Sequence, residues 1–155
     1  MTKITLRESL RHAIDGIGRC LVHERNFRIH TVAAVTVVLF AWLYGVDTGQ
    51  RALLAVAVAT VMTMEMMNTA IEAVVDLITQ EKNVYAKIAK DVAAGMVLLA
   101  ALFAVGIAVI VFHDWTRIVD VIGRLFSSWW SGLLTAVYAG AAVWFIFGWK
   151  PHSGS

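Results

Sequence analysis

Four polar residues interrupt an otherwise apolar stretch: Glu65, Asn68, Glu72 and Asp76. On a helix turning about 100° per residue they fall at roughly 0°, 300°, 340° and 20° around the axis, on one narrow stripe. Their neighbours Met62, Met64, Met66, Ile71, Val74 and Val75 are apolar. Such a stripe cannot face lipid, so it needs a partner helix, water or a metal. Three carboxylates within about 17 Å of helix rise also repel one another. A divalent cation relieves both problems. Mg²⁺ takes oxygen ligands from one or two carboxylates and completes its shell with water and substrate phosphates. That ligand set belongs to a phosphotransferase. The competing reading is a stripe neutralised by basic residues of neighbouring helices, with no chemistry. Glu65 fits that reading least, because it lies deepest and has no evident basic partner at its depth.

The elements that must carry this stripe are membrane spans. Of the 155 residues, 59% are hydrophobic and 15% charged. An ordinary soluble domain has about 25% charged residues, and the mean hydropathy here is +0.73. A soluble chain this short cannot hide that much apolar surface. Disorder, a disulfide scaffold (there is one cysteine, Cys20) and a soluble enzyme are excluded. Apolar runs extend over 29–46, 52–78, 88–112 and 130–149, each near or above the roughly 20 residues that cross a bilayer. Before them, Leu6, Leu10, Ala13, Ile14, Ile17, Leu21 and Val22 recur at spacings of three and four. They form one face of a basic amphipathic helix, expected in the membrane interface or packed on a cytoplasmic partner. A polar loop is expected from Thr79 to about Ala86. Residues 113–124 read as polar and partly amphipathic.

Basic residues set the orientation. Six precede the first span, among them Lys3, Arg25 and Arg28. Lys82, Lys87 and Lys90 surround the second loop, and Lys150 follows the fourth span. Arg51, Arg117 and Arg124 fall in the other two connections. The positive-inside rule therefore places the N-terminus in the cytoplasm. Glu24, Arg28, Glu72, Asp76, Lys90 and Asp91 then converge on one plane, the cytoplasmic interface. A soluble nucleotide reaches it from one side and a lipid head group from the other.

The segment Glu65-Met-Met-Asn68-Thr69-Ala70-Ile71-Glu72-Ala-Val-Val-Asp76 resembles the signature of the prokaryotic diacylglycerol kinase family, and Ala89-Lys90-Asp91-Val-Ala-Ala-Gly95 resembles its second signature. His23-Glu24-Arg25-Asn26-Phe27-Arg28-Ile29-His30 resembles the segment before the first span. The resemblance covers about 5–113. It implies a homotrimeric, three-span lipid kinase using ATP and Mg²⁺, with active sites shared between subunits. It assigns Glu65 as the catalytic carboxylate and Glu24 with Glu72 as the metal-binding pair. Asn68 and Asp76 become polar active-site positions, Lys90 and Asp91 nucleotide contacts with Lys90 towards the phosphates, and Glu81, Lys82 and Asn83 neighbours of the adenosine. No Gly-rich phosphate loop occurs, as the family leads one to expect. The His23–His30 segment and the Glu81–Tyr85 loop resemble the undecaprenol kinase branch rather than the diacylglycerol branch, which typically has an acidic residue where His30 stands.

The resulting expectation is an all-α membrane protein, with an N-terminal amphipathic interfacial helix, three core transmembrane helices and a fourth C-terminal one. Its parts are a kinase core (1–113), an accessory segment (114–150) and a tail of expression-vector character (151–155). The membrane is the bacterial cytoplasmic membrane, the partners are a lipid alcohol and ATP, and no nucleic acid is expected. Within the fourth span Ser131, Thr135 and Tyr138 are the polar exceptions, so it reads as a packing or anchoring helix, with a regulatory role as the alternative. His12, His23 and His30 show no metal-ligand spacing, and the Met cluster reads as packing. A small ion or proton conductor is a competing function, disfavoured by the nearly unbroken apolar stretch Ala52–Thr63. A purely structural subunit is another, and it leaves Glu65 unexplained.

Overall fold

Every α-helix but the second begins at a side-chain cap that hydropathy alone does not reveal. Thr5 Oγ1 accepts the Glu8 backbone N–H (3.3 Å), and the Glu8 carboxylate accepts the Thr5 N–H (2.8 Å). This capping box opens α1 (Leu6–His23). The computed structural model describes residues 5–149; Lys3, Lys150 and the 151–155 tail lie outside the described residues. α2 (Arg25–Tyr44) follows after Glu24 and ends at Gly45, whose φ of 77° suits a residue without a Cβ. Asp47 and Gln50 form the capping box of α3 (Thr48–Ile78). The Asn83 side chain accepts N–H groups of Tyr85 and Ala86 to open α4 (Val84–Val111). Asp114 caps α5 (Trp115–Leu125), and Ser128 caps α6 (Trp129–Val143). The last helix finishes in a π-helical turn, Trp144–Gly148. There the Trp144 indole lies so close to Gly148 that a Cβ would sit 2.6 Å from its Cδ1.

The all-α expectation is met: no strand occurs among the described residues, and four helices are long and apolar enough to cross a membrane. The spans start earlier than the apolar runs suggest, because Arg25, Arg28, Gln50, Arg51 and Lys87 occupy their first turns. The expected 79–86 loop contracts to 79–83 for the same reason.

Helices α3 and α4 form an antiparallel hairpin, and α2 packs on α3. The main apolar core gathers at the far end of the spans from the carboxylates. It contains Ala41, Tyr44, Val46, Leu54, Val111 and Val121. Phe112 meets Phe40 and Tyr44 edge-on, with centroids 5.0 and 5.2 Å apart. Tyr44 Oη accepts the Asp114 N–H (3.0 Å), and Arg124 donates to Leu43 O (3.1 Å), so α5 is pinned across the end of α2. Elsewhere the spans leave large side chains such as Phe103 and Ile110 uncovered, as helices facing lipid or further copies do. On α1, Leu6, Leu10, Ile14 and Ile17 are exposed and Cys20 is buried. The expected apolar face of α1 is thus largely uncovered by the protein itself.

The fourth span runs back along α2. Tyr138 Oη and Thr36 Oγ1 are 2.7 Å apart. At the start of α2, the buried Arg28 guanidinium donates to Val22 O (2.8 Å) and Leu21 O (3.3 Å) at the end of α1, and to Ile146 O (3.4 Å) in the π-turn. Arg25 lies over the Phe147 ring, 5.8 Å from its centroid. One cation thus ties three segments at the corner that carries Glu24. Replacing Arg28→Ala leaves these carbonyls without their donor, and should lower stability in micelles by about 2 kcal/mol; thermal melting measures it. Proteolysis should then release the C-terminal segment first.

The α1 cap carries a pH signature. The Thr5 backbone N–H, with the Thr5 hydroxyl, holds the Glu8 carboxyl below the usual carboxylate range. Its stabilisation is therefore present above the unfolded-chain value and is lost as pH falls through the lowered folded value. Amide-exchange protection factors of the first turn of α1, referred to the intrinsic rate at each pH, should fall in that acidic window and stay flat above it.

Candidate active site

The stripe predicted on α3 is present: Glu65 and Asp76 find partners on other helices, and Asn68 and Glu72 bond each other. Glu65 is buried at 3% exposure. Its Oε1 lies 3.2 Å from Nε2 of His30 on α2. This corrects the expectation that Glu65 has no basic partner at its depth. The missed signal is His30 itself, one turn inside the first span, whose facing helix no spacing rule identifies. One turn along α3, Asn68 Nδ2 donates to Glu72 Oε1 (2.9 Å). A carboxylate only accepts, so this bond fixes which way the Asn68 amide points. Asn68 Oδ1 is then buried with no partner among the described residues. Three turns from Glu65, Asp76 Oδ1 meets Lys90 Nζ of α4 at 2.6 Å.

Two concavities hold these groups apart from Glu72. A cavity of about 330 Å³ is lined by Asn26, Ile29, His30, Glu65, Asn68 and Ala94, with further α4 residues behind them. A groove of about 680 Å³ wraps the turn between α3 and α4. Asp76, Glu81, Lys82, Asn83, Lys90 and Asp91 all line it, so six of the positions named from sequence come together there. Asn83 already spends its amide oxygen as the α4 cap. Lys90 is an ammonium with three donors, so holding Asp76 leaves two for another anion. Glu65 and Asn68 stand apart from the groove, about 16 and 12 Å up α3 from Asp76 by helix rise.

Glu24 is half-buried at the junction of α1 and α2, and its side chain makes no capping bond. It and Glu72 are both near enough to act electrostatically on Glu65. Among the described residues no three His, Cys, Asp or Glu side chains converge as a ready-made metal cage. That donor set fits Mg²⁺, which uses few protein carboxylates and leaves positions for water and phosphate. The orphaned Asn68 Oδ1 beside Glu72 is a hard oxygen of the kind such a cation takes.

The N-terminal half of α3 offers no polar route. Thr60 and Thr63 turn their hydroxyls back to Val56 O and Ala59 O. In the fourth span, Thr135 bonds Ser131 O, Ser131 serves the α6 cap, and Tyr138 meets α2. All three polar exceptions there have structural partners.

Against known proteins, residues 11–112 match the family described as prokaryotic diacylglycerol kinase. A diacylglycerol kinase of Synechocystis is 47% identical over 98 residues, which are 63% of this chain and 56% of that protein. An undecaprenol kinase of Bacillus subtilis is 35% identical over 105 residues, 68% of this chain and 85% of that protein. A diacylglycerol kinase of Escherichia coli K12 is 39% identical over 90 residues, 58% of this chain and 74% of that protein. The chain thus spans little more than half the length of the Synechocystis relative. The match ends where α4 ends, leaving α5 and α6 outside it.

The Asp76–Lys90 pair is partly exposed, at 58% and 36% of the side chains. Solvent screening holds such a pair to less than about 1 kcal/mol. A double-mutant cycle on Asp76→Asn and Lys90→Met should return a coupling within that range. A larger coupling would mean that the pair holds the hairpin together.

Proposed function

The chain belongs to the prokaryotic diacylglycerol kinase family, and from that premise we propose that it is an integral membrane lipid kinase that transfers the γ-phosphate of ATP to the hydroxyl of undecaprenol. One observation carries the reading. A buried carboxylate, Glu65, opens on a cavity inside the spans, while a polar groove at the α3–α4 turn gathers the residues suited to a nucleotide. Phosphoryl transfer needs mainly positioning and charge neutralisation, and these groups are disposed for both.

Glu65 accepts the proton of the lipid hydroxyl as the oxygen attacks the γ-phosphorus. Lys90 keeps its bond to Asp76 and turns its remaining donors to phosphate oxygens. Asp91, Glu81, Lys82 and Asn83 border the nucleoside side of the groove. Glu24 and Glu72 are the residues that would hold Mg²⁺, with Asn68 Oδ1 beside them. When bound, the cation supplies positive charge against the phosphate oxygens.

Glu65 and the groove lie far apart along one α3, so a complete site joins the cavity of one subunit to the groove of another. This supports a homotrimer with shared sites. Gly95 is exposed on α4, and a residue without a side chain there admits close approach of a neighbouring helix. The orientation supported by the basic residues puts the N-terminus and the groove on the cytoplasmic side, where ATP is. Residues 1–113 form the kinase core, and 114–150 an accessory anchor.

Two sequence segments and the Bacillus relative, matched over most of its length, favour undecaprenol. The second reading, a diacylglycerol kinase, is favoured by the higher identity of the Synechocystis and Escherichia coli relatives. A competition assay in mixed micelles, with ATP, Mg²⁺ and equimolar undecaprenol and diacylglycerol, decides between them: preferential phosphorylation of undecaprenol is the expected result. In the same assay Glu65→Gln should lower kcat by about 10²–10⁴-fold with the oligomer intact, and an active variant would refute the catalytic role. Glu72→Ala should shift the Mg²⁺ titration to higher concentration, and an unchanged titration would remove Glu72 from the ligand set.

A further inference from the structure

Glu65 has one side-chain partner among the described residues, and it comes from another helix. His30 Nε2 stands 3.2 Å from Glu65 Oε1. The nearby polar groups are committed elsewhere. The Thr69 hydroxyl donates to the Glu65 backbone carbonyl (3.1 Å), and the Asn68 amide nitrogen donates to Glu72. Both members of the pair line the same cavity of about 330 Å³, and their side chains are 24% and 4% exposed. The other ionisable side chains near Glu65 include Glu24 and Glu72, both carboxylates. An ionised Glu65 only accepts, so the imidazole carries its proton on Nε2 towards Oε1.

We propose that His30 is a positioning residue for phosphoryl transfer, holding Glu65 by Oε1 so that Oε2 is presented to the acceptor hydroxyl in the cavity. The proposal rests on the kinase reading and on Glu65 as its base. In the step, the acceptor oxygen forms a bond to the γ-phosphorus. The bond from that phosphorus to the bridging oxygen of ADP breaks, and ADP leaves with the electron pair. The hydroxyl proton passes to Glu65 Oε2, and His30 keeps its own proton throughout. The carboxylate would otherwise swing about its terminal torsion, which is broad and soft. The imidazole ties it to α2 as well as α3, and misplacement of a reacting group by an ångström is costly.

The test uses the full chain in mixed micelles with ATP and Mg²⁺, assayed on undecaprenol and on diacylglycerol separately. His30→Ala should lower kcat by about a hundredfold while the KM for ATP stays within about twofold, because the groove lies on other residues. His30→Gln, which keeps an N–H donor, should hold kcat within about tenfold of wild type. Added imidazole should raise the activity of the alanine variant. A His30→Ala enzyme with wild-type kcat overturns the proposal. So does a loss that neither glutamine nor imidazole recovers, since that marks a packing role. Wild-type protein that phosphorylates neither lipid overturns the kinase reading instead, a result separable from either.

Discussion

A carboxylate inside a membrane-spanning helix is tolerated only where other groups surround it, and Glu65 is such a carboxylate. Its burial dictates much of the neighbouring arrangement. Helix α2 must pass α3 with His30 at the same level, and that fixes the register of the first two spans. The cavity that remains beside the pair is bounded by Asn26 and Asn68 on one side and by Ala94 on the other. A larger residue than alanine on α4 would fill the space into which Glu65 opens.

The two ends of the spans have different physical characters. At one end, interlocked aromatic rings and the Tyr44–Asp114 hydrogen bond make a rigid apolar plug. At the other, α3 and α4 diverge into a short turn with an open polar groove. Apolar packing at the first end supplies the order that the second cannot, because a groove built to receive a charged ligand must stay partly solvated. The pairing of Asp76 with Lys90 keeps that groove neutral at its centre without closing it.

The fourth span is joined to this frame by polar contacts at both ends of α2. Arg124 and the α5 cap hold it at the plug, and Arg28 holds its π-turn at the α1–α2 corner. In hydrocarbon, apolar helices gain little from mutual contact alone, so hydrogen bonds and close packing give them specificity. Thr36 with Tyr138, and Arg28 with Ile146 O, fill that role here. The C-terminal segment therefore bears on the same corner that places Glu24.

Some of this was legible in residue order, and some was not. The number of spans, the α3 stripe and the gathering of Asp76, Lys90 and the 81–83 turn follow from local rules. Periodicity acts along one helix, and a short turn forces the two helices it joins to be neighbours. Helix starts were misjudged because caps are made by single side chains such as Asp47 and Asn83, which do not register in hydropathy. The His30–Glu65 pair and the burial of Arg28 depend on how α2 rotates against α3 and where α6 returns. Those are relations between segments distant in sequence. The sequence by itself determined which faces are polar and which residues share a helix. Only the tertiary structure decided which polar face meets which, because in an apolar medium many helix rotations bury equal area and the few buried hydrogen bonds choose among them.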